Sequence, residues 1–430
     1  MKRFFTLLTY LSVIFAISCS DDNNDINNNT TPPDTPPAPS ENLTVQALKD
    51  DNPLIYASGG SVTLQVTSNG QWQADITEPE DCDWLHLSPT GNKLTLTTDE
   101  NTAAGDREAK VVISTETLTQ ELTIKQRQNI FRRNKISERK VFTQLDLYYA
   151  QNQINRLHHL LCVLPIPSSN IYQDIEELNT EGGTLLTAPD NETRYLRCVL
   201  NDSNVPTSGQ PVLREEFKVT SYSVEVDFGA ITTYPDIDTE SDVYKRYTGA
   251  SSDIIDPDFE PMQPFTAQLW KMANGDILSY AMLCYLYVAA NMQYLNPNTG
   301  LHPLAKIWAD GGGDCGNQAT VFISMLRNKG IPARHVVMVR PDDTVHVRAE
   351  FFLAGYGWIP VDPNAKNMIP EGDFFGKIYS DEIVMNRNID IPIQGPDGNN
   401  LVAGLLQVYA FWYWINADMS MRIVRTIGLM

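Results

Sequence analysis

The sequence predicts a multidomain chain: two all-β sandwiches followed by an α+β domain. Its 430 residues leave room for several domains, each with its own core. Between about 42 and 250, short alternating segments are punctuated by Gly, Asn and Asp, the pattern of antiparallel sheets. Beyond 250 the apolar period lengthens to that of helices, and strand-like alternation returns only after 333. The formal charge of −21 and a pI near 4.6 argue against a nucleic-acid partner, because phosphate binding needs clustered Lys and Arg.

Lys2 and Arg3 precede an apolar run over 4–17, which is too short to span a bilayer and has the form of a secretory leader. Ala16-Ile17-Ser18-Cys19 resembles the lipobox of bacterial lipoproteins, with Ala where Leu is commoner. The resemblance implies a signal peptide over 1–19, acylation of Cys19, and membrane attachment by that lipid only. Ser20-Asp21-Asp22 is similar to the acidic signal that sends some outer-membrane lipoproteins to the cell surface. Residues 20–41 hold Asn and Asp runs and then a Pro-rich stretch over 31–39, a disordered linker with nothing to bury.

The first folded domain is expected over 42–127. Alternation over 61–66, 72–76, 93–97, 109–114 and 118–125 describes a β-sandwich. Gly59-Gly60, Ser68-Asn69-Gly70-Gln71-Trp72, Trp84, Asn101 and the closing Ile124-Lys125-Gln126 are similar to the BACON domain family. That family's name proposes carbohydrate binding, and its members are also read as spacers. Trp72 and Trp84 are the residues to stack on a sugar ring, unless they pack the core.

A second sandwich is expected over 128–250. The basic lead-in at 131–135 reads as a linker or exposed turn, followed by strands over 139–149, 157–165, 171–178, 195–200 and 215–228. In the last of these Phe217 and Val219 set one phase, and Tyr222, Val224 and Val226 set the other, so the strand carries a bulge. Cys162 lies in an apolar run and reads as a core thiol, with a bridge to Cys198 as the alternative. The adjacent His158 and His159 should point to opposite faces of their strand and not share a metal.

The third domain, over 251–430, opens with helices at 265–273 and 276–295, then a short one around 304–308. Gly311-Gly312-Gly313-Asp314 delivers Cys315 to the start of another helix, where Ala319, Phe322, Ile323 and Leu326 form one apolar stripe. Gly330 and Pro332 punctuate its end. Strands follow at 334–340, 345–353 and 358–361, with His346 near the start of the second and Asp362 just past the third. Alternation puts His346, Arg348 and Glu350 on one face of their strand and Trp358, Pro360 and Asp362 on one face of theirs, so His346 and Asp362 can both face the helix tip. Segments 372–376 and 401–415 read as strands closing this sheet; the aromatics at 409–414 alternate faces and read as core packing, with exposure of half of them near the cleft as the alternative.

A thiol on a helix tip beside an imidazole and a carboxylate is what a cysteine nucleophile needs. The helix N-terminus and an imidazolium favour the thiolate, His346 takes and returns the proton, and Asp362 fixes the tautomer. The Cys315 backbone N–H is the natural oxyanion donor, with Gln293 or Gln318 as the second. Glu350, His302 and His335 read as structural.

Gly313-Asp314-Cys315, Met325 to Arg334, His346 with Glu350, and Gly357 to Pro363 resemble the transglutaminase-like superfamily, in that family's Cys, His, Asp order. The resemblance implies a papain-like fold with Cys315 as nucleophile, His346 as base and Asp362 as its orienting partner. One position departs: Arg348 stands where the family often has an aromatic residue.

The function expected is a cell-surface cysteine enzyme acting on peptide or glutamine amide bonds through a thioester, hydrolytic rather than cross-linking. Its substrate would be an extracellular peptide or protein, with glycan contact through 42–127, and the alternative is an inactive surface protein that binds peptide or glycan. No DxDxDG-type loop, HxxxH or HxH pair appears, so no metal or other cofactor is expected.

Overall fold

A computed structural model of the chain describes residues 41–47, 54–55, 57, 59–103, 105–189, 192–295, 300–340 and 342–430. The expected leader, the expected acylation site at Cys19 and the expected linker up to residue 40 lie outside the described residues.

The first domain is a sandwich of two four-stranded sheets. One runs Leu43–Ala47, Gly60–Ser68, Lys93–Thr98, Leu85–Thr90; the other runs Leu54–Ile55, Thr119–Gln126, Arg107–Ser114, Gln73–Glu78. The inward phase of each strand, Leu64 and Val66, Leu94 and Leu96, Val111 and Ile113, makes the core.

The second sandwich is built from two distant parts of the chain. One sheet is Thr184–Thr187, Arg194–Leu200, Leu157–Ile166, Ala410–Ile415; the other is Gln173–Glu181, Gln210–Val226, Phe131–Tyr149, Met421–Leu429. Two expectations fail here. The basic segment 131–135 is the start of a nineteen-residue strand, its charges paired across the surface: Arg132 with Asp227, Arg133 with Asp174, Lys135 with Glu138. The strands after 400 do not close the catalytic-looking sheet, because Ala410–Ile415 and Met421–Leu429 return to this sandwich. Residues 372–376 hold a single bridge, Val361 to Phe375, and the strand Lys377–Ile378 pairs with Val224 and Glu225 of the sandwich. The expected bulge is present, as a register shift between Ser221 and Tyr222.

His158 and His159 also differ from expectation. The strand is irregular between Leu157 and His159, and the two rings meet edge to face with centroids 4.1 Å apart. Cys162 and Cys198 face one another across paired strands as free thiols.

The α+β part is inserted between the two portions of the second sandwich. Its antiparallel sheet runs Gly357–Val361, Val345–Leu353, Ala333–Val339, Ile383–Asn386. One face, Val337, Val347, Ala349, Phe351, Ile359 and Val361, packs on helices Ile277–Asn291 and Cys315–Arg327. The helix stripe Ala319, Phe322, Ile323 and Leu326 is fully buried in that seam. Burying one phenylalanine such as Phe322 contributes about 1.5–3 kcal/mol, so the seam fixes the Cys315 helix to the sheet. The opposite face, Val336, Met338 and Val384, lies on Tyr172, Val224 and Ile378 of the sandwich. The sandwich is thus the floor on which the sheet rests.

Candidate active site

Glycine chemistry places Cys315. Gly311 ends the helix Leu304–Asp310 in the left-handed region, at φ 69°. Gly312 and Gly313 then run parallel to Gln293 and Tyr294. A Cβ on Gly312 would lie 2.0 Å from the Gln293 carbonyl oxygen, so only glycine lets the backbones approach this closely. Asp314 caps the next helix by accepting from the Asn317 N–H at 3.0 Å, and Cys315 is the first helical residue. Asn317 is fully buried and locks the turn. Its amide donates to Asp314 at 2.8 Å and to the Gly300 carbonyl at 3.0 Å, and it accepts from the His302 N–H at 3.0 Å. The Cys315 thiol is free and half-buried.

His346 reaches Asp362 through Nε2, 2.6 Å from Oδ2. The other carboxylate oxygen accepts from the Ala365 N–H at 2.8 Å, so Asp362 also caps the helix Pro363–Met368. Burial alone would lower the His346 pKa, but the Asp362 charge, its hydrogen bond and a hydrogen bond with Cys315 hold it well above the ordinary imidazole range. For Asp362 burial acts upward and is outweighed by His346, by the Ala365 N–H and by Arg348, which hold it low. The imidazole is therefore bonded to a buried carboxylate, with the Cys315 thiol among the groups that favour its charged form.

Residues 265–363 match the model of the transglutaminase-like superfamily. The chain carries a transglutaminase-like domain. Residues 73–127 match the BACON model, described as "Putative binding domain, N-terminal". Among solved structures, the chain is similar to a "putative cysteine protease" from Cytophaga hutchinsonii at 12% identity and a TM-score of 0.44, covering 70% of this chain and 100% of that one. It is also similar to a "putative protease" from Parabacteroides distasonis at 10% identity and a TM-score of 0.21, covering 69% and 62%. At these scores neither likeness carries an activity over. No curated protein matches the chain.

Within the transglutaminase-like domain, the apolar phase of Val345–Leu353 meets the Cys315 helix, and the polar phase beyond His346 does not. Arg348 and Glu350 turn instead toward the sandwich floor. Arg348 is 2% exposed, stacks over Tyr172 at 4.4 Å and pairs with Glu382 at 3.2 Å, which also takes Arg340 at 2.6 Å. The departure at 348 is thus a buried cation whose charge helps hold Asp362 ionised. Glu350 accepts from Arg334 Nε at 2.9 Å and from the Tyr172 hydroxyl at 2.6 Å, a structural use as expected.

The two glutamines separate. Gln293 is exposed beside Gly312. Gln318 is fully buried with its Nε2 directed at the Met292 carbonyl at 3.5 Å, so its position is one of packing, not of a donor facing a ligand. Trp84 is likewise corrected: it is 6% exposed in the BACON core and Arg107 covers its ring at 4.5 Å, leaving no face for a sugar. Trp72 is partly buried against the same core. His335 is buried and bonded to Thr320 at 3.1 Å.

Two neighbours were not legible beforehand. Gln407 donates from Nε2 to the carbonyls of Met338 and His346, both at 2.9 Å, and so clamps the histidine strand from below. Tyr294 is 40% exposed and pairs with Gly313, two residues before the thiol, and burial first, then Cys315 and Asp314, push its phenol up. A lone Gln far along the chain gives no signal; Tyr294 follows only from knowing that its segment pairs with Gly313.

Proposed function

We propose that the chain is a cysteine enzyme in which Cys315, His346 and Asp362 cleave amide bonds of extracellular peptides, proteins or glutamine side chains. The observation that carries this reading is His346 bonded to the Asp362 carboxylate at 2.6 Å, with Cys315 at a helix N-terminus and among the groups that favour the charged imidazole. The Cys315 sulfur, as thiolate, attacks the carbonyl carbon while its proton rests on His346. The negative oxygen that forms meets the Cys315 backbone N–H, with Gln293 as second donor. The C–N bond breaks as His346 gives its proton to the leaving amine, and a thioester remains. Water, deprotonated by His346, then attacks; the C–S bond breaks, releasing acid and thiol. Asp362 stabilises the imidazolium at each proton transfer without itself taking the proton.

Water is the acceptor in this reading, and an amine acceptor would make the same thioester a cross-linker. Incubation of the chain with a peptide library, with and without a primary amine, separates these by mass spectrometry. Cleaved or deamidated peptides that vanish with Cys315→Ala are expected. If the native chain yields neither hydrolysis nor amine adducts with Cys315 intact, the enzyme reading is lost.

The reading includes lipid attachment at Cys19 and display on the outer face of the outer membrane, supported by the leader and the lipobox-like residues 16–19. Palmitate incorporation that survives Cys19→Ala would remove it. For the BACON domain, glycan contact narrows to Trp72, and a glycan array with Trp72→Ala tests it.

A further inference from the structure

At the far end of the Cys315 helix lies a cavity of about 290 Å³ between the transglutaminase-like sheet, the 246–255 segment and the 388–392 loop. Its polar lining includes Arg246, Ser251, Arg327, Arg334, His335 and Asp390. Arg327 is twelve residues from Cys315, about 18 Å along the helix, so this is a separate place from the thiol.

The three guanidinium groups are not equivalent. Arg334 is neutralised by Glu350 at 2.9 Å and Glu192 at 2.7 Å. Arg246 stands at the rim, 3.8 Å from Glu192. Arg327 is 5% exposed and bonded only to neutral groups: the Ala333 carbonyl at 2.9 Å, the Gly249 carbonyl at 2.6 Å and Ser251 Oγ at 3.2 Å. Among the described residues it has no carboxylate partner. Burial pushes it down to about 10, so it stays charged at neutral pH. The helix C-terminus offsets part of that charge, but a buried cation without a counter-ion is uncommon in folded proteins.

The second observation is His335, which is 1% exposed and lines the same cavity. Thr320 Oγ1 lies 3.0 Å from the Gly316 carbonyl, to which it can only donate, so it accepts from His335 Nε2–H at 3.1 Å. The ring is neutral, with burial pushing it down to about 3. Its Nδ1 is therefore an acceptor, and it is buried with no partner. Asp390, held by Ser252 Oγ at 2.5 Å, is a further acceptor in the lining.

We infer that this cavity binds a small oxyanion that also carries an N–H or O–H donor, with Arg327 and Arg246 facing the anion and His335 Nδ1 and Asp390 taking the donor. Hydrogenphosphate and a free amino acid both have that chemistry, and the cavity is large enough to admit either.

Calorimetric titration of the full chain at constant ionic strength, with inorganic phosphate, glycine, acetate and chloride, tests it. Saturable binding of phosphate or glycine is expected, and whichever binds identifies the source. Acetate, which lacks the donor, should bind at least tenfold more weakly. Arg327→Met should abolish binding and Arg246→Gln should weaken it about tenfold, while Cys315→Ala should leave it unchanged. Arg246 is at the rim, so that variant decides the matter even if Arg327→Met fails to fold. Chloride matching phosphate and glycine, acetate binding as tightly as either, unchanged binding in Arg246→Gln, or loss in Cys315→Ala would each overturn the inference.

Discussion

Asp362 performs two tasks with two oxygens, and a pair of substitutions separates them. Oδ2 bonds His346 and Oδ1 caps the helix Pro363–Met368. A hydrogen bond between charged groups contributes about 1.5–3 kcal/mol, and an N-cap about 0.5–2 kcal/mol. Asparagine still caps, so Asp362→Asn should cost only the first quantity; Asp362→Ala should cost both, about 2–5 kcal/mol. The pH dependence has a definite sign. Asp362 is held low, so its share is complete above the unfolded carboxylate value of about 4 and fades as pH falls through its lower folded value. His346 is held high, so its share is complete below about 6.5 and fades as pH rises through its raised folded value. The cost of Asp362→Asn should therefore peak between about pH 4 and pH 6.5 and shrink on both sides. Urea unfolding of native and variant chains across pH measures it. A cost that is flat with pH, or an alanine variant no worse than the asparagine one, would refute the coupled pair.

Gly312→Ala should destabilise by about 1–3 kcal/mol, since its Cβ meets backbone rather than a movable side chain, and thermal melting checks this. The same variant should slow alkylation of Cys315, because the strand that aims the thiol must shift. Arg348→Met should cost about 3 kcal/mol, the low end for a broken buried ion pair, because Glu382 keeps Arg340. It should also depress peptide cleavage by loosening Asp362. Glu215 is fully buried with one oxygen unpartnered, and burial raises its carboxyl well above the ordinary range. Its folded value exceeds the unfolded one, so the native chain loses stability as pH rises above about 4.3. Glu215→Gln removes that loss, and its advantage in urea midpoint should widen from about pH 5 to pH 8.

Local pattern carried much of this architecture. The 3.6-residue stripe on the Cys315 helix is wholly buried, and the phase change in Gln210–Val226 is a real bulge. Glycine spacing and the strand order around His346 and Asp362 were enough to bring both near the helix tip. What failed was information that lies between distant segments. Alternation over 410–415 says strand but not which sheet, and the pairing with Leu157–Ile166 depends on a partner far away in the chain. A run of bases at 131–135 looks like linker until its carboxylate partners are seen across the sheet. Two-residue periodicity assigned Arg348 and Glu350 to one face, yet it could not say that a second sandwich lies beneath them. Trp84 was ambiguous for the same reason: an indole in a core and one on a surface share a sequence pattern.

Alkylation of Cys315 by iodoacetamide, followed by peptide mapping, tests the central claim directly. Cys162, Cys198 and Cys284 are buried, and mapping distinguishes Cys82. An isolated thiol with the ordinary value of about 8.5 is only about 0.3% ionised at pH 6. If His346 holds the proton, Cys315 should react rapidly at pH 6, and His346→Ala should slow it by about 10²-fold. Equal rates in the native chain and the variant would contradict an activated nucleophile.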